Sequence, residues 1–135
     1  MSASSHKPAG YQSVTPYFTV RDAEGMIAFL RQVFEAEEIS RHADEDGQIV
    51  HAEVRVGDTI VEVSAGNERF PPRGNSLHVF VEDTDACCRR AIEAGASSLY
   101  EPEDMPYGER SGGVEDPYGN QWFIATFLKG EGQGY

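Results

Sequence analysis

Thr15-Pro16-Tyr17-Phe18-Thr19-Val20-Arg21-Asp22 and Ser76-Leu77-His78-Val79-Phe80-Val81-Glu82-Asp83 decide the fold of this chain, because the second repeats the pattern of the first 61 residues later. Each is an extended, β-rich run that ends on an aspartate able to cap a helix. After Asp22 the apolar residues Met26, Ile27, Leu30, Val33 and Phe34 recur at helical spacing, and after Asp83 a helix runs to Ala94 and is closed by Gly95. Downstream of the first helix, β patterning predicts strands over residues 37–42, 48–56 and 59–64, with reversals at Asp44-Glu45-Asp46-Gly47 and Gly57-Asp58. Downstream of the second it predicts strands over residues 97–101, 110–115 and 120–127, the last entered through Pro117-Tyr118-Gly119. Gly57 and Gly119 repeat the offset at 62. The reading is an α+β fold of two βαβββ modules, residues 13–65 and 76–128, within a single domain spanning 13–128. One helix per module covers one face of each sheet, so a curved mixed sheet should leave its other face open around a cavity. Residues 1–12 read as a flexible arm and 129–135 as a tail.

A chain of 135 residues with 39% hydrophobic content suits one core. Its formal net charge of -12 repels phosphate backbones and anionic headgroups, which argues against nucleic acid and membrane partners. No apolar run approaches the roughly 18 residues of a membrane span, and the first residues lack the apolar stretch of a secretion signal. The expectation is a cytoplasmic protein. The adjacent Cys87 and Cys88 would project about 100° apart on a helix and are poorly placed to bridge, in keeping with a reducing compartment.

Successive strand side chains point to opposite faces, so alternation assigns the inner and outer sets. Val14, Phe18 and Val20, Val50, Ala52, Val54 and Val56, Val61 and Val63, Leu77, Val79 and Val81, and Trp122 and Ile124 belong under the helices. The opposite set mixes aromatic and polar groups, as ligand pockets do: Thr15, Tyr17 and Thr19, His51, Glu53 and Arg55, Ile60 and Glu62, Ser76, His78 and Phe80, and Gln121, Phe123, Ala125 and Phe127. A partly solvated sheet face carries such charges too, so each residue alone is equally an ordinary cross-strand partner. Residues 102–109, with Met105, Pro106 and Tyr107, read either as a lid over the cavity or as a surface loop.

Residues 10–18, 52–58 and 76–83, and the run from Tyr107-Gly108-Glu109-Arg110 through Asp116-Pro117-Tyr118-Gly119-Asn120-Gln121-Trp122, together resemble the PhnB-like branch of the vicinal-oxygen-chelate superfamily. This is the glyoxalase, bleomycin-resistance and dioxygenase group, and the likeness spans residues 10–127. It implies the glyoxalase/bleomycin-resistance fold and a homodimer. For metalloenzymes of the group it also implies four ligands, one from the first and one from the last strand of each module, which fall here on Thr15, Glu62, Ser76 and Phe123. Only Glu62 is a good ligand, since hydroxyls bind transition metals feebly and a phenyl ring not at all.

The expectation is therefore a protein without the usual metal, and with no cofactor favoured, that binds or sequesters a small-molecule ligand. Thr15, Tyr17, Glu53, Glu62, Ser76, His78, Phe80, Tyr107, Arg110 and Phe123 are the candidate binding residues. The acidic balance favours cationic guests. The alternative is a lyase, isomerase, dioxygenase or group-transfer enzyme, in which a displaced cluster of Glu62, His51 and His78 would hold a divalent metal or act as acid and base.

Overall fold

The computed structural model describes residues 6–128. The predicted tail, and residues 1–5 of the predicted arm, lie outside that range. The element order is β1 (Tyr17–Val20), α1 (Ala23–Phe34), β2 (Glu37–Ala43), β3 (Ile49–Val56), β4 (Thr59–Ala65), β5 (Ser76–Phe80), α2 (Thr84–Glu93), β6 (Ser97–Met105), β7 (Glu109–Glu115) and β8 (Gln121–Phe127). This is the βαβββ order twice. The chain divides into two compact units, one holding β1 to β4 with most of α1 and the other holding β5 to β8 with α2.

Each unit holds a four-stranded mixed sheet, in the orders β1-β4-β3-β2 and β5-β8-β7-β6. The first strand pairs parallel with the last in both, and the other pairings are antiparallel. Both helices start as the sequence predicts. Asp22 accepts a hydrogen bond from the Gly25 amide, and Asp83 accepts one from that of Ala86. Each cap satisfies an amide the helix leaves without a partner.

In the first unit Phe18, Val20, Ala52, Val54, Val61 and Val63 are buried with Met26, Ile27 and Leu30 of α1. The ion pair from Arg41 of β2 to Glu24 of α1 lies on this helix-covered side. In the second, Trp122, Ile124 and Val114 are buried with Cys87, Cys88 and Ala91 of α2. Gly112 leaves room there, since a Cβ would stand 2.8 Å from the Cys88 sulfur.

Two residues assigned to the helix-covered face do not lie under a helix. Val14 is 83% exposed, because β1 begins only at Tyr17. Val50 is 48% exposed while Ile49 is buried, at the end of β3 where the β2–β3 register shifts between His42 and Ala43. Ile60 and Ala125 have the predicted parity, yet both are buried on their open faces. The segment read as a lid is mostly strand: β6 continues to Met105, leaving residues 106–108 as the turn into β7. Tyr11 and Gln12, set aside from the core as arm, are bound to the first sheet. Gln12 uses its side-chain amide as a strand would, donating to the Ile60 carbonyl and accepting from the Ile60 amide.

Candidate functional site

The open face of the first unit is organised by register. Tyr17 of β1 stands beside Glu62 of β4, and Glu62 stands directly opposite Glu53 of β3, which in turn faces Ser40 of β2. One row across the sheet thus carries two facing carboxylates. His51 lies two residues from Glu53 on the same face, with its ring 6.3 Å from that of Tyr17. One ligand atom from each of His51, Glu53 and Glu62 falls within 4.8 Å of the others. Glu53 is held in place by hydroxyls: Tyr11 and Ser40 both donate to its Oε1. The Tyr11 bond is the main reason the Glu53 carboxyl sits below the usual carboxylate range. Partial burial opposes that shift, and Ser40 and His51 reinforce it.

The open face of the second unit is built around a residue that the sequence reading left out. Glu109, the first residue of β7, is 1% exposed. His78 of β5 reaches it across β8, with Nε2 at 2.9 and 3.1 Å from the two carboxylate oxygens. On β8, His78 registers with Phe123 and Glu109 with Phe127, so the bond passes over the small side chain of Ala125 between them. A carboxylate only accepts, so Nε2 carries a proton and donates it. The His78 ring meets Phe80 edge-on at 4.8 Å. Beside them Tyr100 stacks on Phe123 with centroids 6.5 Å apart, and its hydroxyl bonds that of Ser111 at 2.7 Å.

The predicted residues therefore separate into two groups. Thr15, Tyr17, His51, Glu53 and Glu62 belong to the first unit, and Ser76, His78, Phe80, Tyr107, Arg110 and Phe123 to the second. Of the residues expected to cluster, His51 and Glu62 stand with Glu53 in the first unit, and His78 is joined to Glu109 in the second. Arg110 faces α2 rather than the open face, held by Asp85 at 2.6 and 3.0 Å and by Asp104 at 3.1 Å. These carboxylates, Asp85 foremost, raise its already high pKa. Tyr107 sits in the β6–β7 turn, 42% exposed.

The four positions that metalloenzymes of the resembled group use do not fit a metal here. The Thr15 hydroxyl accepts a long bond from Gln12 at 3.4 Å, Ser76 donates to Gln121 at 3.1 Å, and Phe123 is engaged in stacking. Glu62 alone offers a carboxylate, one strong ligand where such a centre needs at least three.

Comparison with known proteins agrees with this fold. The family model of the glyoxalase/bleomycin resistance protein/dioxygenase superfamily matches residues 12–124. An uncharacterized protein of Mycobacterium bovis, Mb0911c, is 31% identical over 123 residues, covering 83% of this chain and 81% of its own. TioX from Micromonospora sp. ML1 superposes with a TM-score of 0.73 at 25% identity, over 87% of this chain and 99% of that one. A PhnB protein from Bacillus cereus superposes at 0.70 and 19% identity, over 85% and 99%, and shares the fold. A family match over most of the chain, carried by the same two βαβββ modules, makes this protein a member of the glyoxalase/bleomycin resistance protein/dioxygenase superfamily.

Proposed function

We propose that this protein is a cytoplasmic homodimer that binds a small organic cation on its open sheet faces and holds it unchanged. The observation that carries the reading is the company its aromatic residues keep. Tyr17, Phe80 and Phe127 are 47, 56 and 53% exposed, and they share faces with carboxylates: Tyr17 with Glu53 and Glu62, Phe80 and Phe127 with Glu109. Exposed aromatics such as Phe80 and Phe127, together on the open face of the second sheet, mark a surface meant to be covered. Rings and carboxylates together suit a guest that is flat or apolar on one side and positively charged on another.

Thermal-shift screening of aromatic and aliphatic amines, against neutral and anionic analogues of the same size, tests this. Cations should raise the melting temperature selectively and be recovered chemically intact. A preference for anions would refute the reading.

One observation favours catalysis instead. Glu109 holds Nε2 of His78 and so orients the ring, the arrangement of a positioned general acid or base. Mass spectrometry of each hit after prolonged incubation separates the readings. A guest turned over by wild type but only bound by His78→Gln, with turnover down about 10²-fold or more, establishes the enzyme.

A further inference from the structure

We propose that His51, Glu53 and Glu62 form a binding site for one divalent transition-metal ion, built wholly on the first sheet and displaced from the superfamily's four-position pattern. The two carboxylates face each other directly across β3 and β4. Like charges at directly opposed positions destabilise a sheet unless something positive lies between them. Arg55, on the same face of β3, is engaged by Glu37 at 3.1 Å. The nitrogen brought to the pair is the imidazole of His51.

The separations suit an ion better than they suit hydrogen bonding. His51 Nε2 and Glu53 Oε2 stand 3.5 Å apart, long for a charge-assisted bond. Two ligands of a tetrahedral ion with bonds near 2.1 Å are about 3.4 Å apart. The full set lies within 4.8 Å, so side-chain shifts on the order of 1 Å close it around one ion. Glu53 is also prepared as a ligand. Tyr11 and Ser40 saturate Oε1, while Oε2 points toward His51, which is how outer hydrogen bonds orient a ligating carboxylate. One imidazole and two carboxylates match Zn²⁺, Mn²⁺ or Fe²⁺ rather than the all-oxygen shells of Ca²⁺. Three protein ligands leave positions open for water or a guest donor.

The test is calorimetric titration of Zn²⁺ into the full chain, purified with chelator and then dialysed, with Co²⁺ absorption reporting coordination geometry. No organic guest is added, so the outcome is independent of whether the cation-binding reading holds. One ion per chain should bind, with His51→Gln and Glu62→Gln each weakening it at least 10-fold. Tyr11→Phe should weaken it about 10-fold through the orientation of Glu53. Glu24→Gln makes the same charge change on α1 and should leave binding unchanged, and circular dichroism confirms that each variant is folded. Absence of stoichiometric binding by wild type overturns the proposal. So does binding that survives Glu62→Gln in a folded protein, or an equal loss in Glu24→Gln, which would mean diffuse attraction to an acidic surface.

Discussion

Removing the imidazole from the second unit gives the most direct measure of what the His78–Glu109 pair contributes. Glu109 is one of the largest fully buried side chains, and both its oxygens receive the His78 Nε2 proton at 2.9 and 3.1 Å. A hydrogen bond to a charged group contributes about 1.5–3 kcal/mol. The His78 side chain is itself 40% exposed, so water can partly replace it, and the expected cost of His78→Ala falls to about 1–2 kcal/mol. For a domain of this size that is a fall in melting temperature of roughly 3–8 °C. Glu109→Gln keeps the shape and one acceptor oxygen while removing the buried charge, so it should cost less than about 1 kcal/mol. In the Glu109→Gln background, loss of His78 removes no hydrogen bond to a charge. The double variant should therefore be more stable than the sum of the singles predicts, by about 1 kcal/mol. Urea unfolding monitored by circular dichroism, with an unchanged slope, measures all four proteins. Additive single effects within about 0.3 kcal/mol, or a His78→Ala protein as stable as wild type, would refute the reasoning.

Asp116 is 3% exposed and accepts from the Tyr118 and Asn120 amides at 2.9 Å, from Asn120 Nδ2 at 3.1 Å and from Trp122 Nε1 at 2.9 Å. Asp116→Ala orphans several buried donors at once and should cost about 3–5 kcal/mol in urea unfolding, whereas a loss under about 1 kcal/mol would contradict the network. Burial pushes the Cys87 and Cys88 thiols up to about 11, so at neutral pH both should react with a thiol reagent only as fast as the protein opens, and rapid labelling of native protein would count against it. Glu53 has a lowered folded pKa, so its stabilisation is present above its unfolded value near 4.3 and is lost as pH falls through the folded value. Tyr11→Phe should accordingly destabilise the protein at pH 7, with the gap to wild type closing in acid; an undiminished gap at pH 3 would be inconsistent with that origin.

Helix starts and the order of elements along the chain were legible because their causes are local. Asp22 and Asp83 precede apolar periodicity, and both cap their helices as that pattern requires. The position of Arg110 was also legible, though only by a stricter use of alternation. It shares parity on β7 with Gly112 and Val114, which lie toward α2, so it had to face the helix and Glu109 the open side. With residues 102–109 read as loop, it was Glu109 that had no assigned face, because parity has no meaning for a residue until the strand is known to include it.

The two acid–histidine groups differ in the same way. A two-residue reversal at Gly57-Asp58, with Gly57 at φ 60°, sets Val56 opposite Thr59. Three residues further from the turn on each strand, Glu53 must then meet Glu62, so the facing carboxylates follow from the hairpin alone. The histidine–glutamate bond of the second unit follows from no turn. It depends on the parallel register of β5 with β8, set across the whole of α2, β6 and β7, and on Ala125 being small enough to let His78 cross the strand between them. Pairing that a hairpin enforces can be counted out along a sequence. Pairing through a crossover is fixed by packing, and only the folded sheet brings it together.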